Sequence, residues 1–269
     1  MDRYAVLGHP VAHSLSPRIH TAFAQACGVE LSYTAIDIEP GVFATRVEEL
    51  REAGYRGFNV TLPHKRAAAA LAQHVADRAR LAGAANTLIR SGNGWTADNT
   101  DGIGLIADLT HNLRLELAGL RVAVIGSGGA ARGILAPLLA TKPGRLVLAN
   151  RSPQTPQKLA QDLASVGTIE ARQYAELAGQ SFDLVINATS AGHQGLVPEL
   201  PDRLFRAAAM AYDLNYGPAA SPFLGWAEAH GAARTSDGLG MLVEQAAESF
   251  LLWRGVRPRT APVLAALRA

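Results

Sequence analysis

The sequence predicts an α/β fold, and three observations carry that prediction. Short apolar runs alternate with segments of helical spacing along nearly the whole chain, the pattern of consecutive βα units. Near the middle, Arg121-Val-Ala-Val-Ile-Gly-Ser-Gly-Gly-Ala-Ala-Arg-Gly133 reads as a buried strand, a glycine turn and the start of an Ala/Leu-rich helix. The chain is 269 residues long, enough for two domains or one large one.

The glycine turn is the most informative stretch. Val122 to Ile125 is the strand, and the helix runs from about Ala130 to Ala140. Strand, glycine turn and helix in that order is the context a dinucleotide-binding fingerprint needs. Gly126 permits the tight turn, Gly128 lets backbone approach a pyrophosphate, and Ala131 allows close helix–strand packing. The turn runs Gly126, Ser127, Gly128, Gly129, Ala130, and the free N–H groups of the helix start are offered to the phosphates. The next strand, Arg145 to Ala149, leads into Asn150-Arg151-Ser152. An NAD binder places Asp or Glu at that strand end. Here stand a neutral Asn150 and a cationic Arg151, which can pair with a 2′-phosphate and stack on adenine. NADP is therefore favoured over NAD.

Composition narrows the class. Hydrophobic residues make up 48% and charged residues 18% of the chain, with a net charge of +2, as in a soluble globular enzyme. No basic run or aromatic-interleaved patch points to nucleic acid. No apolar run approaches membrane-spanning length, and Asp2 and Arg3 lead almost directly into a strand without a signal-peptide apolar region. The expected location is the cytoplasm. The single cysteine, Cys27, forms no internal disulfide.

In chain order, Tyr4 to Gly8 is the first strand. Ser16 is a natural N-cap with Pro17 at the first helical position, and the helix runs to about Cys27. Ser14 and Ser16 lie at a strand-to-helix junction, where two hydroxyls can hold a carboxylate or a polyol. His9 and His13 are four apart, but Pro10 breaks any helix that would present both, so no metal site is expected. Leu31 to Ile38 is the second strand and Gly41 to Ala53 its helix. Gly57 to Thr61 is the third strand, running through Leu62-Pro-His-Lys65 into a helix from about Arg66 to Ala72. Asn59, Thr61 and Lys65 thus cluster at a strand end. A lysine at a helix start is misplaced relative to the helix dipole, which suits a group that hands on a proton.

Asn86 to Arg90, Gly92-Asn-Gly94 and Trp95 to Ala97 read as a β-hairpin. Asp98-Asn-Thr-Asp-Gly102 opens a helix to about Leu109; one of these polar residues is its cap, and Asp101 is the candidate left to face a substrate. Asn86 can point the same way. Beyond the glycine turn, strands are expected around Thr168–Arg172, Phe182–Ile186 and Met210–Leu214, and helices over about 157–164 and 222–230. The loop Asn187-Ala-Thr-Ser-Ala-Gly192, with Thr189, follows the second of these strands and faces the cofactor. The last long helix begins at Gly238. Leu239, Leu242, Val243, Ala246, Ala247, Phe250 and Leu251 form its buried stripe, while Met241 and Gln245, one turn apart, share a flank that can face a ligand.

These segments together resemble the shikimate dehydrogenase family over nearly the whole chain. The matching pieces are Ser14-Leu-Ser-Pro17, Asn59-Val-Thr-Leu-Pro-His-Lys65, Gly83-Ala-Ala-Asn-Thr87, Asn99-Thr-Asp-Gly102, the glycine turn, Asn150-Arg151, Asn187-Ala-Thr-Ser190 and Asp237-Gly-Leu-Gly-Met-Leu-Val243 with Gln245. The resemblance implies an N-terminal α/β substrate domain over 1–103, completed by helices from 240–269. It implies a Rossmann-like doubly wound NADP domain over 104–239 and a cleft between the two. The implied activity is reversible NADPH-dependent reduction of 3-dehydroshikimate to shikimate in aromatic amino-acid biosynthesis, by a monomer or homodimer.

By the same resemblance, Ser14 and Ser16 hold the substrate carboxylate with help from Tyr216. Thr61, Asn86, Asp101 and Gln245 hold the ring hydroxyls, and Asn59 sits in the same motif. Lys65 exchanges the proton and Asp101 orients it. Gly126 through Ala130, Asn150, Arg151, Thr189, Leu214, Gly238 and Met241 face the cofactor. Two departures stand out. Thr155 occupies a place where the family often carries a second basic residue, so selectivity for NADP is expected to be weaker than usual. Gly217-Pro218 replaces a common Asn-Pro. The alternative is a quinate/shikimate dehydrogenase using NAD or both cofactors, though no Asp follows Asn150 before Asp162.

Overall fold

In the computed structural model, which describes residues 1–269, the apolar run at the N-terminus forms β1 (Asp2–Gly8), buried from Tyr4 onward. Such continuous burial is what a central parallel strand requires. Its neighbours β2 (Leu31–Asp37) and β3 (Tyr55–Val60) both run parallel to it. The crossovers are α1 (Ser16–Cys27) and α2 (Phe43–Glu52). After β3 come α3 (Lys65–Leu71), β4 (His74–Val75) and α4 (Asp77–Ala82). The expected hairpin follows as β5 (Thr87–Ser91) and β6 (Gly94–Asp98). The sheet order is β2-β1-β3-β5-β6-β4. Because β5 is antiparallel to β3 and β6 antiparallel to β5, the ends of β1, β3 and β6 and the start of β5 share one edge of the sheet. Next, α5 (Asp101–Ala107) begins at that edge.

Ser16 is not the cap of α1 but its first residue; Leu15 stands at the cap position. The hydroxyl of Ser14, two residues upstream, accepts the Ser16 N–H at 3.3 Å, which lets the helix begin one residue early. Similarly, Lys65 itself opens α3, and the helix expected to reach Leu109 gives way after Ala107 to a π-helical turn over Asp108–Asn112.

The second sheet is wholly parallel. Its strands are β7 (Arg121–Ile125), β8 (Arg145–Asn150), β9 (Glu170–Gln173), β10 (Phe182–Asn187), β11 (Phe205–Asp213) and β12 (Arg234–Ser236), in the order β12-β11-β10-β7-β8-β9. Counted from β7, that is the 3-2-1-4-5-6 order of a doubly wound dinucleotide fold, whose ligands lie beyond the strand carboxyl ends at the β7/β10 switch point. Helices α6 (Gly129–Ala140), α7 (Gln154–Asp162) and α8 (Ser221–Ala229) cross between strands. Val122, Val124, Leu146, Leu148, Leu184 and Ile186 form one buried layer of this sheet, and Ala123, Ile125, Val147, Ala149 and Val185 the other. The chain ends in α9 (Leu239–Arg254) and α10 (Ala261–Arg268).

Two compact units result, one of residues 1–104 with 242–269, the other of residues 105–241. No helix is long and apolar enough to cross a membrane.

Candidate functional site

The polar residues singled out in the sequence fall into two groups, one on each unit. In unit 1 the group gathers at the edge shared by the ends of β1, β3 and β6. There the Nζ of Lys65 forms an ion pair with Oδ2 of Asp101. Lys65 reaches this place because the preceding His64 is anchored. Its Nε2–H donates to the Ile38 carbonyl at 2.6 Å, and its ring stacks on Phe43 with centroids 4.4 Å apart. Asp101 is fixed from two sides: Nδ2 of Asn86 donates to its Oδ1 at 2.8 Å, and its own N–H donates to Asn99 Oδ1 at 3.1 Å.

Asn86 is the hub of what lies behind. Its Nδ2 also faces Thr100 Oγ1 at 2.9 Å and Gln245 Oε1 at 3.1 Å, while its Oδ1 accepts the Thr100 N–H at 2.8 Å and the Thr87 hydroxyl at 2.9 Å. Gln245 donates back to the Leu242 carbonyl at 2.8 Å. One turn along α9, Ser249 Oγ lies 2.8 Å from Thr87 Oγ1, 3.2 Å from Thr100 Oγ1 and 3.0 Å from Asn59 Nδ2. Asn59 uses its other end to accept the Tyr33 hydroxyl at 2.7 Å and His20 Nε2 at 3.1 Å. Both ends of its amide are thus engaged by protein. Ser16, buried beside this network, hydrogen-bonds Tyr33. Burial lowers the His20 pKa to about 3 and raises the Tyr33 pKa, so both stay neutral. Ser14 and Thr61 are half-buried at the same edge.

Thr87, Thr100, Ser249, His20 and Tyr33 did not stand out in the sequence. A signal existed for Ser249: a hydroxyl on the buried stripe of α9, four residues after Gln245, where i and i+4 share a helix face.

In unit 2 the singled-out residues lie at the carboxyl ends of successive parallel strands. Gly126 to Ala130 follow β7, Asn150 ends β8 and Arg151 follows it, Thr189 follows β10, Leu214 follows β11 and Gly238 follows β12. Gly126 has φ 97°, and a Cβ there would come within 3.1 Å of the Ala188 carbonyl, so only glycine makes this turn. A Cβ at Gly128 or Gly129 would instead meet nothing within 4 Å. The protein's own packing does not demand their bareness, and the open space leaves room for a ligand to approach the backbone. No side chain caps α6, so its first N–H groups are available to an anion. Arg151 is exposed. These features fit an NADP: a bare, uncapped helix start for the pyrophosphate and a cation beyond the next strand for the 2′-phosphate. Met241 is 8% exposed within the apolar core of unit 2. Tyr216, also on this unit, precedes a 3₁₀ turn over Gly217–Ala219.

Strand order and glycine turn give unit 2 the architecture of a dinucleotide-binding domain. Comparison with known proteins supplies the family. Residues 6–88 match the shikimate dehydrogenase substrate binding domain, residues 108–208 the shikimate / quinate 5-dehydrogenase family, and residues 238–268 the shikimate 5'-dehydrogenase C-terminal domain. A shikimate dehydrogenase (NADP(+)) of Thioalkalivibrio sulfidiphilus is 51% identical over 269 residues, covering 100% of this chain and 98% of that protein. The crystal structure of an Ael1 enzyme from Pseudomonas putida superposes with a TM-score of 0.92 at 46% identity, covering 99% of this chain and 98% of that one. Shikimate 5-dehydrogenase from Thermus thermophilus, in complex with NADP(H) and shikimate, superposes with a TM-score of 0.85 at 34% identity, covering 100% and 99%. This chain belongs to the shikimate dehydrogenase family.

Proposed function

We propose that this chain catalyses the reversible NADPH-dependent reduction of 3-dehydroshikimate to shikimate. The observation that carries the reading is the Lys65–Asp101 pair, set at a strand-end edge among Asn86, Thr61 and Gln245, on a chain with full-length NADP-dependent relatives. Unit 1 is read as the substrate domain and unit 2 as the NADP domain.

Bound NADPH supplies the hydride, and the protein must supply the proton. In reduction the substrate's carbonyl oxygen gains a proton, and in oxidation the hydroxyl loses it. Lys65 is the group that holds and releases that proton, since its ammonium carries three donors on a flexible stem. Asp101 orients the ammonium, and Asn86 in turn fixes Asp101. Asn86, Thr61, Asp101 and Gln245 offer both donors and acceptors, as ring hydroxyls require. Ser14 and Ser16 take the carboxylate. Asn59 acts indirectly, since it holds Tyr33 and through it Ser16.

Gly126 to Ala130 hold the pyrophosphate, Asn150 and Arg151 the adenosine end, and Thr189, Leu214, Gly238 and Met241 the nicotinamide end. As an enzyme of free small molecules the chain is placed in the cytoplasm, as a monomer or homodimer, which light scattering on the purified protein distinguishes.

A spectrophotometric assay with shikimate or quinate crossed against NADP+ or NAD+ tests the reading. Turnover confined to shikimate with NADP+ is expected. Comparable rates with quinate or NAD+ would move the chain to the quinate/shikimate class, the outcome that Thr155 in place of a second cation would favour.

A further inference from the structure

We infer that Asp213 is a positioning residue for the cofactor loops of unit 2: its acceptor-only carboxylate dictates which way the Asn187 amide faces, and through it the placement of Thr189, Leu214 and Gly238. The inference rests on the assignment of those three residues to the cofactor.

Asp213 ends β11 at 0% exposure, and Asn187 ends the neighbouring β10 at 0%. Burying a carboxylate is costly unless donors surround it, and here they do. Oδ2 accepts Asn187 Nδ2 at 2.8 Å; Oδ1 accepts the Asn215 N–H at 2.8 Å and Asn215 Nδ2 at 2.7 Å. The far end of Asn187 continues the chain, its Oδ1 accepting the Thr189 N–H at 3.1 Å and hydroxyl at 2.8 Å. Asn215 Nδ2 then donates to the Thr189 carbonyl at 3.0 Å and closes a ring. Backbone bonds tie the remaining pieces to it: the Leu214 N–H donates to the Asn187 carbonyl at 2.9 Å, and the Gly238 N–H to the Asn215 carbonyl at 2.8 Å.

The polarity of this ring has one solution. A carboxylate only accepts and a backbone N–H only donates. Asn187 therefore presents its NH2 to Asp213 and its carbonyl to Thr189. Burial pushes the Asp213 pKa up to about 6, against the Asn187 and Asn215 donors that hold it down, with the Asp237 charge adding to the rise. The group is thus still ionised at neutral pH. With Asp213→Asn, the new amide keeps its oxygen for the two Asn215 donors and turns its NH2 on the NH2 of Asn187. Two donors then face each other. Flipping Asn187 relieves that contact only by facing its NH2 to the Thr189 N–H. Either way one loop loses its tether.

The swap Asp213→Asn with Asn187→Asp makes the test selective, because it preserves atom count, charge and every donor–acceptor pairing with the two roles exchanged. Calorimetry should show NADP+ affinity weakened about tenfold or more in Asp213→Asn, the loss of one charge-assisted hydrogen bond. The KM for NADPH should rise in parallel while that for 3-dehydroshikimate stays within about twofold. Asn187→Asp alone should behave similarly, since it sets two carboxylates face to face. The double variant should return to within about threefold of wild type. Unchanged affinity in Asp213→Asn, or a double variant no tighter than the singles, overturns the inference. Should a single variant fail to fold, the double variant against wild type still decides, because only a polarity role predicts its recovery.

Amide hydrogen exchange of the wild-type protein separates the two failures. NADP+ should slow exchange over 188–190 and 214–216. Protection there with unaltered affinity in Asp213→Asn overturns the inference alone. No protection there overturns the cofactor assignment of these loops, and the inference with it.

Discussion

The proposed preference for NADP rests on one residue, Arg151. It stands exposed just past the end of β8, where an NAD site would place a carboxylate, and no second cation stands at position 155. Arg151→Ala should therefore weaken NADP+ binding about tenfold to a hundredfold, the range of a charge-assisted hydrogen bond, and weaken NAD+ binding, which loses only the stacking on adenine, much less. Fluorescence titration with both cofactors checks this, and an equal loss for both would remove Arg151 from the phosphate. Residue chemistry of this kind was legible because it depends on identity and on strand order alone. Gly217 is another such case: its φ is 60°, a conformation that glycine and asparagine both tolerate, so the departure from the common Asn-Pro keeps the backbone it needs. What identity could not show was hydrogen-bond partnership. Ser16 looked like a helix cap and is instead the first residue of its helix, with Ser14 accepting its N–H.

At the scale of elements, α1 is joined to β2, β3 and α9 through His20. Its ring stacks on Tyr33 with centroids 4.2 Å apart, lies 6.3 Å from the Phe250 ring and 5.3 Å from that of Trp253, and hydrogen-bonds Asn59 of β3. Burial holds the His20 pKa at about 3, below the ordinary 6.5. The folded protein therefore keeps the ring neutral while the unfolded chain protonates it below about pH 6.5. Stability from this residue is full above that pH and is lost as pH falls toward 3, by about 2 kcal/mol on reaching about pH 5. In His20→Phe that dependence disappears. Urea unfolding of both proteins should show the stability gap between them shrinking by about this amount between about pH 7 and about pH 5. A constant gap would mean that His20 titrates alike in both states. The elements that escaped the sequence were the two-residue β4, the three-residue β12 and the six-residue α4. All three are too short for their apolar spacing to repeat, so period alone does not reveal them.

Across the whole molecule, the unit 2 strand order 3-2-1-4-5-6 brings five separated segments to the carboxyl ends of one sheet. Antiparallel β5 does the same in unit 1, turning Asn86 back toward Thr61 and Lys65. Apart from the β5–β6 hairpin, marked by its own turn residues, strand pairing is a long-range property, and it entered the sequence reading only through the βα pattern and family resemblance. Gln245 of α9 meets Asn86 within unit 1. Lys65 is proposed as the one proton-exchanging amine at the substrate oxygen, with the cofactor held by the other unit. Turnover of shikimate and NADP+ affinity, both measured on one preparation of Lys65→Ala, test this assignment. Turnover should fall about 10²- to 10⁴-fold, the contribution of a positioned general acid–base group, with NADP+ affinity unaltered. Turnover equal to wild type would contradict the account, and so would a loss explained wholly by weaker cofactor binding.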